Sequence, residues 1–157
     1  MPAHLNNSPL FKNSSTPRGV RADEARKVLA AMARKLAFKP VRLAHVKQVA
    51  GFDVAYDGPH AEVAAVVMDC VSRRVLETKT FAGKVRFPYI PGLLSFREGP
   101  LILAAHRRLD HDVHVLMVEG HGVAHPLGCG LASYVGCALR KPTIGVAKGI
   151  LWGEVGE

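Results

Sequence analysis

The apolar positions of this chain follow two periodicities, and the switches between them mark out its elements. Over residues 22–38, Ala25, Val28, Leu29, Met32 and Leu36 recur at the spacing of a helix with one buried face. Asp23 and Glu24 stand at its start, Arg34, Lys35 and Lys39 at its end, and Pro40 closes it. Three segments rich in β-branched residues follow, over 46–56, 62–70 and 74–81, separated by Asp57-Gly58-Pro59 and by residues 69–73. Connections this short join antiparallel neighbours, so the pattern predicts a three-stranded meander. Helical spacing returns in Leu101, Ile102, Ala105 and Leu109. The nearly continuous apolar run Val-His-Val-Leu-Met-Val at 113–118 then reads as a strand buried on both faces. Residues 128–139 carry Leu131, Tyr134, Val135 and Ala138 at helical spacing, and 142–147 reads as another buried strand. Strand, loop, helix and strand in that order imply a right-handed parallel crossover. The predicted fold class is α/β: a mixed sheet of three antiparallel strands followed by parallel strands, with flanking helices.

Composition adds the limits. Residues 1–20, with Asn6-Asn7-Ser8-Pro9 and Asn13-Ser14-Ser15-Thr16-Pro17, break any periodicity and bury little, so they read as a disordered arm made basic by Lys12 and Arg18. Residues 21–157 are the length of a single domain. Twenty-one Lys and Arg against 13 Asp and Glu give a net charge of +8, which points to a polyanionic partner, nucleic acid first. Cys70, Cys129 and Cys137 form no CxxC pair, so neither a disulfide framework nor a zinc knuckle is expected, and they read as core thiols in a reducing compartment. No apolar run reaches the roughly 18 residues of a membrane span, and the N-terminus lacks a signal-peptide core, so a soluble, cytoplasmic protein is expected.

Candidate chemistry gathers where elements end. Asp53 interrupts the first strand, and Glu119 ends the apolar run at 113–118, beside Gly120 and Gly122. A carboxylate in a strand needs a partner, which for Asp53 is either one of the many basic residues or a cation. Between them in sequence lies Phe-Pro-Tyr-Ile-Pro-Gly-Leu-Leu-Ser-Phe-Arg-Glu at 87–98. Its two prolines stiffen a loop that presents Tyr89, and it ends at Glu98 near a helix start. Ser95 and Glu98 have the spacing of a capping box, in which the two side chains satisfy backbone donors; Pro100, two residues on, argues against it. Asp53, Glu98 and Glu119 together make an all-oxygen set suited to Mg²⁺ rather than zinc. In a basic protein such a set serves phosphodiester hydrolysis, with Lys148 adding positive charge. His121 and His125 are four apart but lie in a Gly/Pro loop, where hydrogen bonding to loop or substrate is expected instead of a metal pair. His60, His106, His111 and His114 read as surface or loop residues.

Four segments in a consistent order resemble the endonuclease V family. They are Gly51-Phe52-Asp53-Val54-Ala55-Tyr56, the proline-tyrosine segment from Pro88 to Glu98, Glu119-Gly120-His121-Gly122-Val123-Ala124-His125-Pro126, and Pro142-Thr143-Ile144-Gly145-Val146-Ala147-Lys148. The resemblance implies a ribonuclease H-like fold and a Mg²⁺-dependent endonuclease, with Mn²⁺ as a substitute, that recognises hypoxanthine and cuts on its 3′ side in DNA repair. It implies metal binding by Asp53 and Glu119, with Glu98 as third acidic residue and Lys148 near the scissile phosphate. By the same resemblance Tyr89 is a wedge entering the helix where the base is flipped out, Gly92, Leu94 and Gly120 line the base pocket, and His125 lies near the base. The partner is DNA or inosine-containing single-stranded RNA; oligomeric state is left open. Three departures stand out: Glu119 replaces the family's usual aspartate, Leu127 replaces a basic residue, and the chain stops before a further helix-bearing segment, so the fold is expected to be incomplete at its C-terminus. The alternatives are a truncated lesion- or nucleic-acid-binding module with weak or no cleavage, and another metal-dependent phosphohydrolase on the same fold.

Overall fold

A computed structural model describes residues 20–154. Apart from Val20, the arm expected over 1–20 lies outside the described residues. Helix α1 (Ala22–Ala33) leads, and a 3-10 turn (Leu43–His45) precedes strands β1 (Gln48–Asp57), β2 (His60–Asp69) and β3 (Val75–Lys84). Helix α2 (Leu94–His106), strand β4 (Val115–Glu119), helix α3 (Leu131–Leu139) and strand β5 (Thr143–Val146) follow. The sheet order is β3-β2-β1-β4-β5. β1 pairs antiparallel with β2 and β2 with β3, while β1 pairs parallel with β4 and β4 with β5. The mixed sheet is the one the hydrophobic pattern predicts.

The first helix is shorter than expected. Lys35 N–H bonds Met32 O at 2.9 Å and Leu36 N–H bonds Ala33 O at 3.3 Å, tightening the last turn, and the chain then runs extended into Pro40. The helical spacing through Leu36 outlasts the helix, which gives way to a turn at residues 34–35. Helix α2 starts earlier than its apolar run, at Leu94, and accommodates Pro100 in its interior. Ten of its residues are buried, and tertiary contact of that extent outweighs the backbone hydrogen bond that proline removes.

Alternation divides the sheet into two faces. Ala50 and Phe52 of β1, Ala61, Val63, Ala65 and Val67 of β2, and Leu116 and Val118 of β4 are all buried. They form one core with Phe96, Leu101 and Ile102 of α2 and Leu131 and Val135 of α3. Helix α2 packs on β1–β3 and α3 on β4 and β5, while α1 packs on α3. Each large apolar side chain buried here is worth about 1.5–3 kcal/mol. The opposite face corrects the expectation that the last two strands are buried on both sides. Met117, Ile144 and Val146 are 39, 51 and 47% exposed, so β5 is an open edge strand and β4 is covered on one face among the described residues. A continuous apolar run shows that both faces avoid charge; it does not show that both are covered. Another correction concerns His106: it ends α2, half-buried, with its ring centroid 6.3 Å from that of Phe52. No helix among the described residues is long and apolar enough to cross a membrane.

Candidate metal and nucleic-acid site

Two carboxylates are brought together by strand register alone. In the parallel β1–β4 pair Phe52 stands opposite Val118, so the next residue on each strand is an acid, Asp53 and Glu119. Both belong to the open face and line one groove of about 280 Å³ with Gly51, Ala64, Val66, Met117 and Val146. Asp53 is exposed, and one of its oxygens accepts the Val54 N–H at 2.8 Å. Lys148, fully in solvent, holds its Nζ 3.5 Å from Glu119 Oε1. A salt bridge this exposed contributes little to stability, so the lysine yields readily to a cation or a phosphate. Among the described residues no three His, Cys, Asp or Glu side chains converge closely enough to hold an ion. The pair's chemistry nonetheless fits a hard cation, since its donors are carboxylate oxygens and the one sulfur in the walls, the Met117 thioether, is a soft ligand that a hard cation disfavours.

Glu98 approaches from the helical side. Leu93, not Ser95, is the N-cap of α2, and no side chain caps it, so the capping-box reading of Ser95 and Glu98 does not hold. The Glu98 carboxylate is instead buried and accepts a 2.6 Å hydrogen bond from the Tyr56 hydroxyl. Burial raises its pKa; the Tyr56 hydroxyl and Arg97 pull it back, while the charges of Glu119 and Asp53 push it further up. That two-way influence ties Glu98 electrostatically to the acid pair across the sheet. The residue motif reading missed is Tyr56 itself. Its signal was available: the alternation that turns Ala50, Phe52 and Val54 inward also points Tyr56 at the helix carrying Glu98. Burial, then the neighbouring Glu98, drive the Tyr56 phenol pKa upward, so the hydroxyl remains a donor.

The proline-tyrosine loop behaves as its sequence suggests. Tyr89 is 70% exposed, while Phe87 and Leu93 on either side are buried and anchor it. Gly92 takes φ +77°, a conformation that strains any other residue. His125 holds this glycine. Leu127 N–H donates to His125 Nδ1 at 3.1 Å, which leaves Nε2 carrying the proton it gives to Gly92 O, also at 3.1 Å. Burial lowers the His125 pKa, the Gly92 contact raises it, and His121 lowers it again, with a net fall that keeps the ring neutral. Both ring nitrogens are therefore committed to the loops on either side. Gly120 has φ +137°, and a Cβ there would lie 3.2 Å from the Leu131 side chain. Leu94, half-buried, opens α2 beside Gly92. Gly92, Gly120 and His125 thus sit along two loops joined by one hydrogen bond, with Leu94 at the start of α2, and Glu119 ends β4 where the second loop begins.

Comparison with known sequences decides the family, because the endonuclease V profile matches residues 30–157. The chain belongs to the endonuclease V family. Endonuclease V of Methanothrix thermoacetophila is 44% identical over 138 residues, covering 88% of this chain and 60% of that protein. The crystal structure of endonuclease V from Streptomyces avermitilis matches with a TM-score of 0.78 at 39% identity, over 85% of this chain and 60% of that one. Ciona intestinalis endonuclease V, solved in complex with a 23mer DNA containing an inosine followed by a ribo-adenosine, matches with a TM-score of 0.73 at 27% identity, over 84% of this chain and 60% of that one. The chain spans about three fifths of the length of these endonuclease V relatives, and its mixed sheet is the ribonuclease H-like sheet of their fold.

Proposed function

We propose that this chain is a divalent-metal-dependent endonuclease that acts on deaminated adenine, present as hypoxanthine or inosine, and hydrolyses a phosphodiester bond on the 3′ side of the lesion in DNA repair. The observation that carries the reading is the adjacency of Asp53 and Glu119 on parallel strands, with buried Glu98 electrostatically coupled to both. Asp53 and Glu119 are the residues to hold Mg²⁺, or Mn²⁺ in its place. When bound, the ion supplies an activated water and neutralises charge on the transferring phosphate. Glu98, made more basic by burial, is suited to orient that water and accept its proton. Lys148 exchanges its contact with Glu119 for one with the scissile phosphate. Tyr89 stacks in the gap a flipped base leaves, and Gly92, Leu94 and Gly120 offer backbone to the base. His125 acts on the base indirectly, by fixing Gly92. The partner is DNA or an inosine-containing RNA strand, and the compartment is the cytoplasm.

The test presents the intact chain with strands containing either inosine or adenosine, with Mg²⁺ or with EDTA. A nick only 3′ to inosine, and only with metal, is the expected result. Equal cutting of both strands contradicts lesion recognition and favours another phosphohydrolase. A second reading, binding without turnover, is favoured by Lys148 sitting against Glu119 and by side chains that as placed do not converge on an ion. It predicts an inosine-specific complex that never yields product.

A further inference from the structure

Behind Glu98 lies a polar chain, through Tyr56 and Arg97, that no role above uses. Arg97 Nη1 donates to Phe87 O at 2.9 Å, Arg97 Nε donates to the Tyr56 hydroxyl at 3.1 Å, and that hydroxyl donates to Glu98 Oε1 at 2.6 Å. The guanidinium carbon also stacks 4.6 Å from the centroid of the Tyr56 ring. Phe87 is the residue before Pro88 and Tyr89, so the chain runs from the root of the proline-tyrosine loop to the Glu98 carboxylate, which feels the charges of Asp53 and Glu119. Each link restricts the next: the stacked guanidinium limits the tilt of the phenol, and the phenol holds Glu98 Oε1.

We propose that Tyr56 is a positioning residue: its hydroxyl fixes the Glu98 carboxylate for the metal site and, through Arg97, ties that carboxylate to the loop bearing Tyr89. The inference rests on the metal-nuclease reading above and deepens it. Tyr56 acts through Glu98, so its contribution exists only while Glu98 can accept the hydrogen bond, and that condition separates positioning from general support of the fold.

Tyr56→Phe removes the hydroxyl while keeping the ring and its stacking on Arg97. The experiment is calorimetric titration of Mn²⁺ into the intact wild-type chain, Tyr56→Phe, Glu98→Ala and the double variant, alongside inosine-strand cleavage and thermal unfolding. Tyr56→Phe is expected to weaken Mn²⁺ binding roughly tenfold, the usual scale for losing a group that orients a ligand. The double variant is expected to bind no more weakly than Glu98→Ala alone, since Glu98→Ala already removes the acceptor of the Tyr56 hydroxyl. Wild-type Mn²⁺ affinity in Tyr56→Phe overturns the proposal, and so do losses that multiply in the double variant. A wild-type chain that takes up no Mn²⁺ overturns the metal reading and this inference together, whereas normal uptake by wild type and Tyr56→Phe alike overturns this inference alone.

Discussion

Glu98 and His125 are both buried polar side chains, and each is explained by what its atoms bond. His125 is tied at both ring nitrogens, and its tether to Gly92 spans the two loops proposed to form the base pocket. His125→Ala removes that tether; inosine-strand affinity is expected to fall about three- to tenfold, the worth of one or two neutral hydrogen bonds, with adenosine-strand affinity unchanged. Competition binding with the two strands checks it. Because burial keeps His125 neutral, the unfolded chain takes up a proton before the folded one does. Its contribution to stability is therefore present above the ordinary histidine pKa near 6.5 and declines as pH drops below it. Thermal unfolding between about pH 7.5 and 5.5 should show this decline, and His125→Ala should flatten it. The placement of Asp53 within β1 and of Glu119 at the end of β4 was legible in the sequence because each carboxylate interrupts or ends an apolar run. The setting of Glu98 was not, since Ser95 and Glu98 have the spacing of a cap and spacing cannot say where a helix begins.

Among the elements, the join between β3 and the turn after α2 centres on the Glu77 carboxylate, beside the Lys79–Asp110 ion pair at 2.8 Å. Glu77 accepts the backbone N–H groups of Asp110 and His111 and the His111 ring, with Lys79 nearby at 3.5 Å. Burial alone would raise its pKa, but these donors outweigh it and hold the group at about 2. A pKa depressed on folding contributes stability that is present above the unfolded value near 4.5 and lost as pH falls toward 2. Glu77→Gln should cost about 1–3 kcal/mol at neutral pH and remove most of the acid sensitivity in that window, measured by denaturant unfolding. The meander to which Glu77 belongs was legible from Asp57-Gly58-Pro59 and its β-branched flanks. The open edge at β5 was not, because apolar Ile144 and Val146 are compatible with cover on either face.

For the whole molecule, the net charge of +8 is a property that composition alone supplies, and it bears on binding rather than on fold. If phosphate contacts provide the affinity, raising salt from about 50 to 200 mM should weaken inosine-strand binding roughly tenfold or more through counterion release. Fold and family agree at this scale, and the crossover that sets β4 beside β1 also makes Asp53 and Glu119 neighbours. The most direct measurement is single-turnover cleavage of an inosine-containing strand in Mg²⁺ by the intact chain and by Asp53→Ala, with binding of the same strand followed in parallel. Cleavage by wild type that drops at least a hundredfold in Asp53→Ala, about 2.7 kcal/mol of transition-state stabilisation, with binding retained, is the predicted result. Equal cleavage by the two proteins would contradict the assignment of the metal centre to this acid pair.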